Sequence, residues 1–151
     1  MRRPLGDAQG VRDSIERCLR ILDGTCTTDL FQPCRLDPDV PVEETVGAIA
    51  EYVRASKIRA VDLGEVSAAS IRKAQAIVPI AAVKIELSLF ETGVLNNGVA
   101  ETYRELSIPL VALSPISHDF LSSQIRSWRM RRNVIRGGSS RGIRKSISGR
   151  I

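Results

Sequence analysis

Residues 41–67, PVEETVGAIAEYVRASKIRAVDLGEVS, contain one complete passage from helix to strand and the start of the next helix. Val42, Val46, Ile49, Ala50 and Val53 recur at the spacing that lays one apolar stripe along a helix. Pro41 stands at its entry, Glu43 and Glu44 in its first turn, and Arg54 and Lys57 near its end. That order suits the helix dipole, which favours acids at the start and bases at the finish. Ile58–Leu63 follows as a short apolar strand candidate, and Ser67 is a good N-cap for a helix running to about Ile77.

The same unit repeats on both sides. Val11, Ile15, Cys18, Leu19 and Leu22 form a helical stripe over Val11–Leu22, and Val99, Tyr103 and Leu106 form another over Gly98–Leu106. Further strands are predicted at Thr28–Gln32, Ala81–Leu87 and Leu110–Leu113. Strand starts then fall about 23 to 30 residues apart, the length of one strand-plus-helix unit. Regular alternation predicts an α/β fold with a parallel sheet and crossover helices. The pattern alone leaves an open doubly wound sheet and a barrel both possible.

Charge divides the chain in two. Residues 126–151 carry nine basic side chains and no acid, whereas residues 1–125 carry 13 basic against 17 acidic ones. The net charge of +5 therefore comes from the tail, and the body is acidic. The tail, with Gly137, Gly138, Ser139 and Ser140 among its arginines, has no sustained apolar stripe and is expected to be disordered or loosely helical. Weak, non-specific polyanion binding is the most that its charge implies. No apolar run approaches the roughly 20 residues of a bilayer span, and the start lacks a secretory pattern, so the cytoplasm and no membrane are expected. Cys18, Cys26 and Cys34 are odd in number and do not have zinc-site spacing. Free thiols and no metal are expected.

Five stretches in order carry a family resemblance. Asp29–Pro38 resembles the fourth strand and following loop of an aldo-keto reductase, and Pro41–Val53 resembles the next helix. Lys57-Ile58-Arg59 through Glu65-Val66-Ser67 resembles the fifth strand. Pro79–Val83 with Glu86–Phe90 resembles the sixth. Arg104–Leu106, Ile108-Pro109 and Ser114-Pro115 resemble the approach to the seventh strand and its loop. The resemblance covers residues 10–125 and is nearest the fungal pyridoxal-reductase-like branch. It implies a partial TIM (β/α)8 barrel of about four parallel strand–helix units, followed by the basic tail at 126–151. A whole barrel typically takes about 250 residues.

The resemblance also implies a chemistry: reduction of an aldehyde such as pyridoxal to its alcohol, with NADP(H) as cofactor and a small carbonyl compound as substrate. The family's catalytic Asp, Tyr and Lys have no match among these strands, so the chain alone is expected to be inactive. The family's substrate-orienting His corresponds to Cys34, whose thiol is a weak donor. The positions that hold the nicotinamide carboxamide correspond to Gly64, Glu65 and Lys84. Gly64 lacks the usual hydroxyl, and Lys84 donates but cannot accept. The loop after the seventh strand corresponds to Leu113, Ser114, Pro115 and Ile116, continuing through Ser117, His118 and Asp119. Leu113 replaces the stacking aromatic. Ser117 and Asp119 replace glycines, and His118, expected to be an exposed loop residue, replaces an arginine. Asp62 puts a carboxylate on a strand expected to be buried, which is costly unless paired, and Lys84 is its candidate partner.

Three functions remain open on these residues. The chain could belong to an active reductase whose other strands come from elsewhere. It could be a non-catalytic remnant that exposes sheet edges and self-associates. It could also be an anion-binding fragment that uses the arginine-rich tail.

Overall fold

A computed structural model describes residues 6–33, 35–117 and 121. The chain divides into two compact units, residues 1–115 and 116–151, and the architecture below is that of the first. The basic segment 126–151, Cys34, His118 and Asp119 lie outside the described residues.

The elements alternate: α1 (Ala8–Leu22), β1 (Thr28–Phe31), α2 (Val42–Arg54), β2 (Ile58–Gly64), α3 (Ala68–Gln75), β3 (Ile80–Glu86), a 3-10 turn (Gly93–Leu95), α4 (Val99–Leu106) and β4 (Leu110–Leu113). The four strands form one sheet in chain order, and every neighbouring pair is parallel. The expected strands are therefore in place, each within about a residue of its predicted ends.

Helix α1 begins three residues before its apolar stripe. The Asp7 carboxylate accepts from the Gly10 amide at 2.7 Å, and Glu44 Oε1 accepts from the Ala8 amide at 3.0 Å. Two otherwise orphaned donors are thus satisfied, and Ala8–Gly10 join the helix without an apolar signal of their own. The stripe is also narrower than expected, because Cys18 is exposed while Val11 and Ile15 are buried. Ser67 caps α3 as predicted, accepting from the Ser70 amide at 3.2 Å. That helix ends at Gln75, not near Ile77, and the Gln75 side chain turns back to accept from the Ile80 amide at 2.8 Å. Before α4, Gly98 has φ 81, a left-handed conformation in which a Cβ is strained.

The helices pack against one face of the sheet. Their stripes meet Phe31, Val61, Leu63, Val83 and Ile85 in a single core that includes Ile15, Val46, Ile49, Ile71 and Tyr103. Strand alternation sends the intervening side chains to the other face. That face carries Leu30, Asp62, Gly64, Ala82, Lys84, Val111 and Leu113, and Leu30, Val111 and Leu113 are exposed. The register aligns Asp62 with Ala82, Gly64 with Lys84, Lys84 with Val111 and Glu86 with Leu113.

Tyr103 is buried, and its hydroxyl has no hydrogen-bond partner. Burial first, then the negative charges of Glu65 and Asp62, push this phenol from its ordinary value of 10.0 up to about 12. The folded state therefore holds the Tyr103 proton more tightly than the unfolded chain does. Its contribution to stability is complete below about pH 10 and is lost as pH rises towards 12. Chemical denaturation across that window is expected to show a smaller alkaline loss in Tyr103→Phe than in the parent. Equal losses would show that this phenol does not set the alkaline limit.

Candidate functional site

The C-terminal ends of β1, β2, β3 and β4 lie side by side, and Gly64, Glu65, Lys84, Leu113 and Ser114 gather there. In parallel α/β sheets this end is where ligands bind, because loops and not the sheet shape it. Gly64 is the last residue of β2 and is paired in register with Lys84. Glu65 follows with φ 53, its amide donating to the Lys84 carbonyl at 2.9 Å. Its carboxylate accepts from the Glu86 amide at 2.7 Å. Glu65 thus ties the end of β2 to β3 by main chain and side chain together. Leu113 closes β4 opposite Glu86, and its carbonyl accepts from the Leu87 amide at 3.2 Å. Ser114 follows with φ 49, and Pro115 ends the first unit. Ile116 belongs to the second unit and is exposed.

A polar network that the sequence only half disclosed crosses the face away from the helices. Lys84 Nζ lies 2.8 Å from Asp62 Oδ2. Asp62 is fully buried, whereas Lys84 keeps a third of its side-chain surface. The suspected Asp62–Lys84 pair is thus present, and Asp62 is not solvated. The same ammonium donates to Gln32 Oε1 at 3.0 Å, so it joins β2, β3 and the residue that follows β1. The Gln32 amide nitrogen lies over Gly64. An ideal Cβ on residue 64 would sit 2.0 Å from Gln32 Nε2. Gly64 therefore leaves the space that the Gln32 amide occupies.

Gln32 was not among the predicted site residues. The available signal was its position: it stands two residues after Leu30, opposite in phase to core-facing Phe31, at the C-terminal end of a strand. A long polar side chain there must find a partner on the face away from the helices.

No described helix is long and apolar enough to cross a membrane. No group of three or more potential metal-ligating side chains occurs among the described residues. Cys18 and Cys26 are free and exposed. The two tyrosines, Tyr52 and Tyr103, are on α2 and α4 and not on a strand or the residues that follow one. Neither is suited to giving up a proton, since burial raises the pKa of both phenols.

Parallel strands in chain order, with the helices packed on one face and polar groups collected at the strand C-termini, make an α/β sheet of the kind found in barrel walls. The chain belongs to the aldo/keto reductase family, whose model matches residues 1–133. It is 42% identical over 124 residues to the probable pyridoxal reductase 2 of Schizosaccharomyces pombe, a match covering 82% of this chain and 37% of that protein. The chain thus spans little more than a third of that relative's length. Its fold is that of solved family members. The glycerol dehydrogenase AKR11B4 from Gluconobacter oxydans matches with a TM-score of 0.74 at 18% identity, over 95% of this chain and 41% of that one. An aldo-keto reductase from Klebsiella pneumoniae in complex with NADPH matches with a TM-score of 0.65 at 19% identity, over 77% of this chain and 41% of that one. The four strands are accordingly part of a barrel wall, with the helices outside and the Asp62–Lys84–Gln32 network inside.

The network decides how well the residues present fit a nicotinamide carboxamide. Residue 64 offers no hydroxyl, and the space over it holds the Gln32 amide. The Lys84 ammonium is already engaged by Asp62 and Gln32. As arranged, the three positions do not fit an added carboxamide.

Proposed function

We propose that this chain supplies the fourth to seventh strands of a barrel that reduces an aldehyde such as pyridoxal with NADPH, and that it does not perform the reaction alone. The observation that carries the reading is the run of four parallel strands in chain order, with the helices on one face, in a chain of this family. The probable pyridoxal reductase among its relatives supports the choice of substrate. The NADPH complex of a structural neighbour supports the choice of cofactor. Hydride transfer to a carbonyl carbon needs a proton for the carbonyl oxygen. Tyr52 and Tyr103 lie on helices and do not provide it, and Cys34, at the position of the family's His, is a weak donor. In this reading residues 10–125 form the barrel portion, residues 126–151 form a separate basic extension, and the protein works in the cytoplasm.

The test is a chimera in which the unmatched parts of the Schizosaccharomyces pombe relative surround this chain's matched residues. Loss of NADPH absorbance with pyridoxal is expected in the chimera and not in the isolated chain. A folded chimera without turnover would overturn the reductase reading. Turnover by the isolated chain would overturn the dependence on other segments.

The exposed Leu30, Val111 and Leu113, on the edge strands β1 and β4, also favour self-association when the chain is alone. Light scattering is expected to report particles larger than a monomer, and a monodisperse monomer would refute this. The nine basic residues of 126–151 favour weak polyanion binding. RNA binding is expected to fall at higher salt and to disappear in a chain ending at Gln124. Undiminished binding by the shortened chain would refute the tail's role.

A further inference from the structure

We infer that Gln32 is an internal occupant of the amide-binding place between Gly64 and Lys84, so that a ligand carboxamide enters only after the Gln32 side chain swings out. The inference rests on the reductase reading for the nature of the ligand, but its physical basis is local. Gln32 carries the same functional group as the ligand: a primary amide with one carbonyl acceptor and an NH2 donor. Its carbonyl takes a hydrogen bond from the Lys84 ammonium at 3.0 Å. Its nitrogen fills the volume above Gly64, where any Cβ would collide with it. The two features are coupled. A serine at residue 64 would eject the amide, whereas glycine admits it.

Charge explains why an amide and not an acid occupies the place. Asp62 already neutralises Lys84 at 2.8 Å and is fully buried, so a second carboxylate beside it would meet repulsion. A neutral acceptor gives the ammonium a second partner without adding charge. Gln32 is tethered to β1 and needs no association entropy, so a free amide must displace an intramolecular competitor. The side chain lies just beyond the last β1 residue, Phe31, and is partly exposed, so it has a route outward. The arrangement is therefore autoinhibitory. It raises the concentration of amide ligand needed without destroying the place where the amide binds.

The experiment uses the full chain and free nicotinamide, which probes the amide place without requiring a phosphate site or hydride transfer. Dissociation constants are measured by nuclear magnetic resonance titration for the parent and for Gln32→Ala, with nicotinic acid as the charged control. Loss of the charge-assisted competitor is expected to tighten nicotinamide binding about tenfold or more in Gln32→Ala. Nicotinic acid should gain nothing. Equal nicotinamide affinity in the two proteins, including no binding in either, overturns the inference.

A second measurement does not depend on the ligand. In the parent the Gln32 side-chain amide resonances should shift when Lys84 is replaced in Lys84→Met or when a methyl is added in Gly64→Ala. If both variants leave those resonances in place, the amide does not lie between the two residues and the inference fails. Tighter nicotinamide binding in Gln32→Ala supports the inference even if the chimera described above reduces no aldehyde, and that outcome refutes only the reductase reading.

Discussion

Replacing Lys84 by Met is expected to destabilise the fold by about 3–5 kcal/mol, the usual cost of leaving a buried charge without its partner. Asp62 is fully buried, and the Lys84 ammonium at 2.8 Å is its ion-pair partner. Met keeps most of the length and apolar stem of Lys, so the change removes charge and donors more than volume. A domain of this size has about 5–15 kcal/mol in all. Lys84→Met should therefore cut its urea midpoint severely. Asp62→Asn should cost less, because it removes the buried charge and leaves a partly exposed Lys that water can solvate. The double variant Asp62→Asn/Lys84→Met should be more stable than Lys84→Met alone. Additive losses in this double-mutant cycle would show that the pair is not coupled and that Asp62 finds its stabilisation elsewhere. Surface pairs such as Arg12–Glu51, where both side chains keep a third or more of their surface, should show much weaker coupling in the same cycle.

The contrast between these pairs bears on what was legible in the sequence. Apolar patterning located α1, α2, α4 and the strands, because an apolar stripe and a core-facing strand are local properties that burial enforces, and the Ser67 cap located α3. Patterning placed the start of α1 too late, since Ala8–Gly10 are held by the Asp7 cap and by Glu44, a residue distant in sequence. It also put Cys18 in the stripe, although the face that α1 turns to α2 is narrow enough to omit it. Periodicity did not distinguish an open sheet from a barrel wall. That came first from the order of family-like motifs and then from the likeness to solved reductases.

The candidate site could be named in the sequence as a set of positions and not as a set of contacts. Asp62 was conspicuous because a carboxylate in a buried strand demands a partner, and Lys84 could be named as a residue of the neighbouring strand. Gln32 drew no attention, because a polar residue at a strand end is ordinary until its side chain is seen crossing to the next two strands. The meaning of Gly64 changed with it. Read alone, Gly64 was a lost hydroxyl; beside Gln32 it is the space that the amide needs. Cys34 and His118, both singled out in the sequence, lie outside the described residues.

Ile49→Ala is expected to cost about 2–5 kcal/mol, the range for truncating a large aliphatic side chain in a core that cannot fully collapse around the gap. Ile49 is fully buried on α2, the helix that contacts α1, α3 and β2. Its neighbours Val46 and Ala50 are buried as well, so backbone shifts that might close the cavity would disturb several contacts at once. Ile49→Val, which removes one methylene, should cost only about 0.5–1.5 kcal/mol. Comparing the two separates the volume effect from any change in helix propensity, since Ala is the better helix former and would offset part of its own loss. The consequence should reach the site through β2, because α2 supports the strand that ends in Gly64. Short of global unfolding, however, the Gln32–Lys84 hydrogen bond lies on the opposite face of the sheet and should persist. Urea unfolding together with the Gln32 amide resonance provides the check. A loss below about 1 kcal/mol for Ile49→Ala would mean that α2 is not the centre of this core. A displaced Gln32 amide in a still folded variant would mean that the inner network depends on the helix layer, contrary to the separation of the two faces.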